Sequence, residues 1–146
     1  MYTQKSFSAK KEEIEKKWWI IDATDLVVGK LAVEATNILR GKNKPTFTPN
    51  QECGDYLVIT NCEKVKFTGN KWADKKYYWH TNHVGGLKSR TAKEQLERHP
   101  EKIIMNAVKG MLPKTSLGRK QLTKLKVVVG SEHSYDAQKP QALTIK

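Results

Sequence analysis

Three short runs of the chain are apolar at every position rather than at alternate ones: Trp18-Trp19-Ile20-Ile21, Leu57-Val58-Ile59 and Val127-Val128-Val129. A strand with one face in water alternates in polarity, whereas a strand apolar throughout is covered on both faces, as in a parallel sheet wrapped by helices. The segments between these runs read as helices. Leu31, Ala35, Ile38 and Leu39 share one helical face, and Gly41 stands where a helix C-terminus takes a left-handed residue. Thr91-Ala92-Lys93-Glu94 is a capping box that opens a short helix. His99-Pro100-Glu101 opens another, with Pro at the tolerated first position; Ile103, Ile104, Ala107, Val108 and Met111 form its apolar stripe, and Pro113 ends it. Arg119 to Leu125 reads as one more short helix. Val65 to Thr68 alternates and reads as an additional strand between the second and third apolar runs. Gly69 to Gly86 reads as a long polar and aromatic excursion, and the chain from Ser131 onward as irregular. The expectation is one α/β domain over 1–146 with a core of about four strands. Residues 1–12 are expected to be an extended tail that orders on a partner, and 131–146 an irregular tail.

Charge says what that partner is. Lys and Arg number 27 against 15 Asp and Glu, a net charge of +12 in 146 residues. The excess is clustered. From Lys102 to Ser131 there are seven cations and no acid, including Lys109, Lys114, Arg119 and Lys120. From Lys64 to Lys93 there are eight cations and one acid, interleaved with Trp72, Tyr77, Tyr78, Trp79, His80 and His83. Arg40, Lys42 and Lys44 form a third group after the first predicted helix. Self-repulsion on this scale costs stability, so an anionic partner is implied. A strongly basic domain with clustered cations is the electrostatic footprint of a nucleic-acid binder. Lysines give salt-sensitive phosphate contacts, Arg bridges phosphate oxygens bidentately, and exposed aromatics stack on unpaired bases. Any single lysine is as well explained by a solvated basic face; the clusters together are not. No broad apolar face accompanies the basic segments and no apolar run approaches a membrane span, which sets a membrane partner aside. No helix-turn-helix, zinc finger or basic zipper is legible, so irregular, shape-read RNA is favoured over DNA.

Other chemistries fit less well. Cys53, Cys62, His80 and His83 are right in kind for zinc, but eight residues separate the two cysteines where zinc hairpins use two to four, so neither a zinc site nor a disulfide framework is expected. Cys62 reads as a small apolar residue at a strand end, and a reduced, cytoplasmic setting is the default. Gly85-Gly86-Leu87-Lys88-Ser89 lacks the contiguous Gly-Lys-Ser of a phosphate loop. Gly29 is one glycine where a dinucleotide fingerprint wants three; it suits a tight helix entry or an RNA phosphate at the helix N-terminus. Asp22, Asp25 and Asp55 lie near strand ends, where catalytic carboxylates occur and loop-orienting ones occur too. No nucleophile–base pair stands beside them, so an enzyme acting on a phosphorylated substrate is the weaker reading. A general nucleic-acid compaction protein explains the charge but not the ordered core. Trp18 and Trp19 read as core or strand-end packing.

Several ordered stretches together carry a family likeness. They are Trp18-x-x-x-Asp22-Ala23 with Gly29-Lys30-Leu31-Ala32; Leu39-Arg40-Gly41-Lys42; Phe47-Thr48-Pro49; Gly54-Asp55 with Asn61 and Val65; and Thr68-Gly69-Asn70-Lys71. Tyr77-Tyr78 with His80-Thr81 and Gly85-Gly86, Val108-Lys109-Gly110-Met111-Leu112-Pro113 with Gly118-Arg119, Glu132-His133 and Gln138-x-Pro140 continue the series. The chain resembles the bacterial-type large-subunit ribosomal protein L-thirteen family from about Phe7 to Pro140. The resemblance implies a three-layer α/β/α sandwich around a four-stranded parallel sheet with basic loop extensions. It implies a structural role without enzymatic activity, metal, cofactor or small-molecule substrate. The implied partners are large-subunit ribosomal RNA, joined early in assembly, and neighbouring large-subunit proteins, in cytoplasmic or organellar ribosomes. By that likeness Arg40, Lys42, Lys44, Lys71, Tyr78, His80, Lys88, Lys109, Lys114, Arg119 and Lys120 are the expected RNA contacts. Asn82, Asn50 and Trp79 depart from the family pattern; Asn at position 82 tolerates the left-handed backbone that a turn there needs.

Overall fold

The computed structural model describes residues 7–145. Four parallel strands form one sheet in the order β5-β2-β1-β6: β1 Trp18–Asp22, β2 Tyr56–Thr60, β5 Leu125–Val127 and β6 Gln141–Ala142. Helices α1 (Val28–Arg40), α2 (Lys71–Asp74), α3 (Ala92–Arg98), α4 (Pro100–Met111) and α5 (Ser116–Thr123) fill the connections. A parallel sheet flanked by helices agrees with the expected three-layer α/β arrangement.

The apolar runs dictate the packing. Register pairs Trp19 with Leu57 and Ile21 with Ile59, so these side chains share one sheet face. That face meets Leu31, Ala35, Ile38 and Leu39 of α1 and Ile103, Ile104 and Val108 of α4 in one continuous buried core. The opposite face carries Ile20, the fully buried Val58, and the cross-strand pair Trp18–Tyr56, whose rings stack at 4.4 Å. Tyr135, from the C-terminal segment, lies on Trp18 at 5.7 Å. The tryptophans at positions 18 and 19 are thus packing residues, as expected. α1 ends at Gly41, whose φ of 77° lets its N–H close onto the Asn37 and Ile38 carbonyls. The Thr91–Glu94 capping box forms reciprocally, and Pro100 opens α4.

Three expectations are corrected. Val65–Thr68 is not a ladder strand: only an isolated parallel bridge, Val27 to Lys66, forms there. The fourth strand is instead β6, from the segment expected to be irregular, held by parallel pairing to β1 and by the Leu143 N–H to the Ile20 carbonyl. The Gly69–Gly86 excursion is ordered too. It runs through α2 into an antiparallel hairpin of β3 (Lys76–His80) and β4 (Leu87–Thr91). Of the expected N-terminal tail, 1–6 lie outside the described residues. Ala9 is already tied to the body, its N–H donating to the Thr48 hydroxyl at 3.2 Å.

A candidate nucleic-acid interface

The acid-free run folds into a cleft between α4 and α5. Burying Ile103, Ile104 and Val108 turns Asn106, Lys109 and Gly110 of α4 outward. The chain then turns at Pro113–Lys114 and enters α5, where the Thr115 hydroxyl accepts from the Gly118 N–H at 3.2 Å. Gly118 is required by close approach: a Cβ there would stand 1.9 Å from the Pro113 carbonyl oxygen. This contact pins the start of α5 to the turn and brings Arg119 beside Lys114. Lys109, Lys114 and Arg119 thereby line one cavity of about 430 Å³, floored by Leu112, Pro113 and Leu122. Lys120 is exposed on the same helix but outside this cavity.

A second cavity of about 330 Å³ adjoins it through the shared Asn106. Its walls are the start of α1 at Val28–Gly29, Lys71 and Lys75 from α2 and its exit, Tyr77 from β3 and the exposed end of Met111. The first turn of α1 holds no acid and no side-chain cap; its Val28 N–H is answered by the Lys66 carbonyl, and the rest of the helix's N-terminal partial positive charge lies beside Gly29. Together the two cavities make a cationic channel across the helical side of the protein. Arg40 and Lys42 sit at the opposite end of α1, which at 13 residues is about 20 Å long. Arg40 lies over Phe47 with 5.9 Å to the ring centroid, and Lys42 is exposed.

The hairpin supplies a third region. Its register puts Tyr78 and His80 on one face and Trp79 and Lys88 on the other. Tyr78 is 63% exposed, open to a stacking partner. His80 accepts the Asn82 N–H on Nδ1 at 3.0 Å, and Asn82 has φ 62°, the left-handed turn expected of it. Gly85 and Gly86 belong to this turn and not to a phosphate loop: the Thr81 N–H donates to the Gly86 carbonyl.

Lys44 departs from its expected role. Its ammonium donates to the Glu15 carbonyl at 2.7 Å, to the Cys53 carbonyl at 3.1 Å and to the Asp55 carboxylate. Asp55 is 1% exposed and also accepts the Lys17 N–H and the Trp19 indole N–H. Lys44 is therefore an internal cross-tie between the segment before β1 and the start of β2, with its charge already compensated. Lys124 is similar: it is buried, donating to the Gly54 carbonyl at 2.9 Å and pairing with Glu52 at 3.3 Å. Burial pushes its ammonium below the usual lysine range, against the pull of Glu52.

The strand-end carboxylates orient loops. Asp22 accepts from the Thr24 N–H and hydroxyl and from the Asn61 amide. These bonds, the Thr24 hydroxyl's first, hold its carboxyl below the usual range. Asp25, at φ 61°, pairs with Lys66. Cys62 is buried in the main core and burial pushes its thiol up to about 11, while Cys53 lies against the Thr46 and Thr48 carbonyls. His80 and His83 stand exposed on the hairpin, so these four side chains do not converge.

Known proteins bear on what this surface is. The family model for ribosomal protein L13 matches residues 16–134. The chain belongs to the ribosomal protein L13 family. Among its relatives, the large ribosomal subunit protein uL13 of Nitratidesulfovibrio vulgaris is 55% identical over 142 residues, covering 97% of this chain and 99% of that one. Its counterpart in Magnetococcus marinus is 56% identical with the same coverage, and that of Aquifex aeolicus 52%. The family match spans the α4–α5 cleft, the channel and the hairpin alike. Sequence reasoning missed Lys75 and Asn106, which carry no motif signal and reach the channel only through the packing of α2 and α4.

Proposed function

We infer that this chain is a structural constituent of the large ribosomal subunit and binds large-subunit ribosomal RNA through the cationic channel, the α1 C-terminus and the hairpin. The observation that carries the reading is the convergence of Lys109, Lys114 and Arg119 on one cleft whose lining contains no acid. Near-complete coverage of relatives named large ribosomal subunit protein supports it. Arg40, Lys42, Lys71, Tyr78, His80, Lys88, Lys109, Lys114, Arg119 and Lys120 are the proposed contacts, and Lys44 is left out.

The mechanism is charge neutralisation plus shape. The core holds the channel and the Arg40–Lys42 end rigidly about 20 Å apart, along α1. RNA backbone laid on both ends is screened from self-repulsion, and counterions are released as each cation replaces them. Binding early in assembly then favours compact over open RNA. The role is structural rather than catalytic: Asp22, Asp25 and Asp55 are each engaged in the loop contacts described above. Neighbouring large-subunit proteins and a cytoplasmic ribosome complete the proposed setting.

Competition binding across a salt series tests this. Large-subunit ribosomal RNA should outcompete mixed RNA and duplex DNA by orders of magnitude, with affinity falling steeply as salt rises. Equal competition by every polyanion would leave only a non-specific basic protein.

A further inference from the structure

The hairpin face opposite Tyr78 and His80 carries features that none of the expected contacts, Lys88 apart, accounts for. Register pairs Trp79 with Lys88 and Tyr77 with Arg90, so all four side chains project to one face. That face turns toward α3, and the Arg90 guanidinium lies over the Trp79 ring with 4.4 Å to the centroid. Between hairpin and α3 is an open cavity of about 480 Å³ lined by Trp79, Lys88, Ser89, Arg90, Glu94 and Arg98. Glu94, its one acid, already accepts the Thr91 N–H in the capping box of α3. Among the described residues Lys88, Arg90 and Arg98 form no ion pair. Three cations thus face a cleft beside Trp79, a residue 37% exposed.

Each part has a chemical consequence. The cation–π contact fixes the plane of the Arg90 fork, leaving its N–H groups to bridge an anion. Arg98 follows Glu94 by one helical turn, so it reaches the same cleft from the α3 side. With Arg90 over one face of the Trp79 ring, the opposite face is the platform for a flat heterocycle. A ligand carrying a phosphate beside an aromatic base matches this layout, whereas a duplex, whose bases are already stacked inward, offers only the phosphate.

We propose that the Trp79–Arg90–Arg98 cleft holds one unpaired ribonucleotide, with its base stacked on Trp79 and its phosphate held by Arg90, Arg98 and Lys88. This rests on the RNA-binding reading and deepens it: the channel takes backbone of folded RNA, and this cleft takes a single unstacked residue.

The test compares two probes on the full chain, a short adenosine homopolymer and an RNA duplex of the same length. Trp79→Ala should weaken homopolymer binding roughly 5- to 150-fold, the range for loss of one base–aromatic stack. It should leave duplex binding unchanged, and Trp79→Phe should restore part of the loss. Arg90→Gln should lower the salt slope for the homopolymer by about 0.7, one single-strand phosphate contact. Lys109→Gln, in the channel, should weaken the duplex. The proposal is overturned if Trp79→Ala weakens both probes equally, if it weakens neither, or if the wild-type chain binds duplex but not homopolymer. Failure to bind any RNA would instead sink the underlying RNA reading, and this cleft with it.

Discussion

Replacing Gly118 by Ala and Gly110 by Ala adds the same methyl group at two places eight residues apart, and the two should act in opposite directions. At Gly118 the new Cβ would stand 1.9 Å from the Pro113 carbonyl oxygen, which is backbone and cannot swing aside. Reaching an allowed contact takes a retreat of about 1 Å by the turn or by α5, the kind of overpacking that costs about 1–3 kcal/mol. For a chain of this size that is a fall in Tm of about 3–10 °C. Because the same contact sets Lys114 beside Arg119, ribosomal RNA affinity should fall as well. At Gly110, within α4, an added Cβ meets nothing within 4 Å. There Ala restricts the unfolded chain and suits the helix, so stability should stay level or rise by up to about 1 kcal/mol. Thermal denaturation followed by circular dichroism reads both. A Gly118→Ala chain melting at or above wild type, or a Gly110→Ala chain melting well below it, would refute the close-approach reasoning.

Three further outcomes are expected. Lys44→Met strips Asp55 of its ammonium partner and should cost about 2–3 kcal/mol, somewhat under the ~3–5 of a fully buried pair because Lys44 is partly exposed; the salt slope of RNA binding should not move, and a lowered slope would return Lys44 to the interface. Lys109→Gln with Arg119→Gln should do the reverse, lowering that slope by roughly 1.4 to 1.8 while leaving urea unfolding unchanged. Cys62 has a folded-state thiol raised from 9.0 to about 11, so the stability it contributes is complete below pH 9 and is lost as pH rises through about 11. Cys62→Ala should flatten that alkaline limb of a pH–stability profile, and an unaltered limb would count against a buried thiol.

How much of this was legible in the sequence depends on whether a residue's signal is local. Trp18–Ile21 and Leu57–Ile59 announced buried parallel strands because both of their faces are covered, and the α1 stripe, Gly41, the Thr91–Glu94 box and Pro100 all sit where their local chemistry places them. β6 was hidden because Gln141–Ala142 has no apolar pattern; it is a strand only because β1 offers it an edge. The β3–β4 hairpin was hidden for a related reason: only Tyr77 of β3 and the adjacent Arg90 and Thr91 of β4 are partly buried, which gives no alternation to read, so it looked like loop. For the proposed interface, charge clustering picked out Lys109, Lys114 and Arg119, which the fold brings to one cleft, but net charge says nothing of burial. Lys44 and Lys124 look like surface cations in sequence and are internal cross-ties in the fold, because Asp55, Glu52 and the Gly54 carbonyl lie beside them only after β1, β2 and β5 align.

Lysine acetylation read by mass spectrometry, on the free chain and on assembled large subunits, tests most directly which cations meet RNA. Lys42, Lys71, Lys109 and Lys114 should react freely in the isolated protein and lose that reactivity in the subunit, while Lys44 and Lys124 should react poorly in both. If the channel lysines stay equally reactive in the subunit, the cleft between α4 and α5 is not the RNA-binding face and the account built on it is wrong.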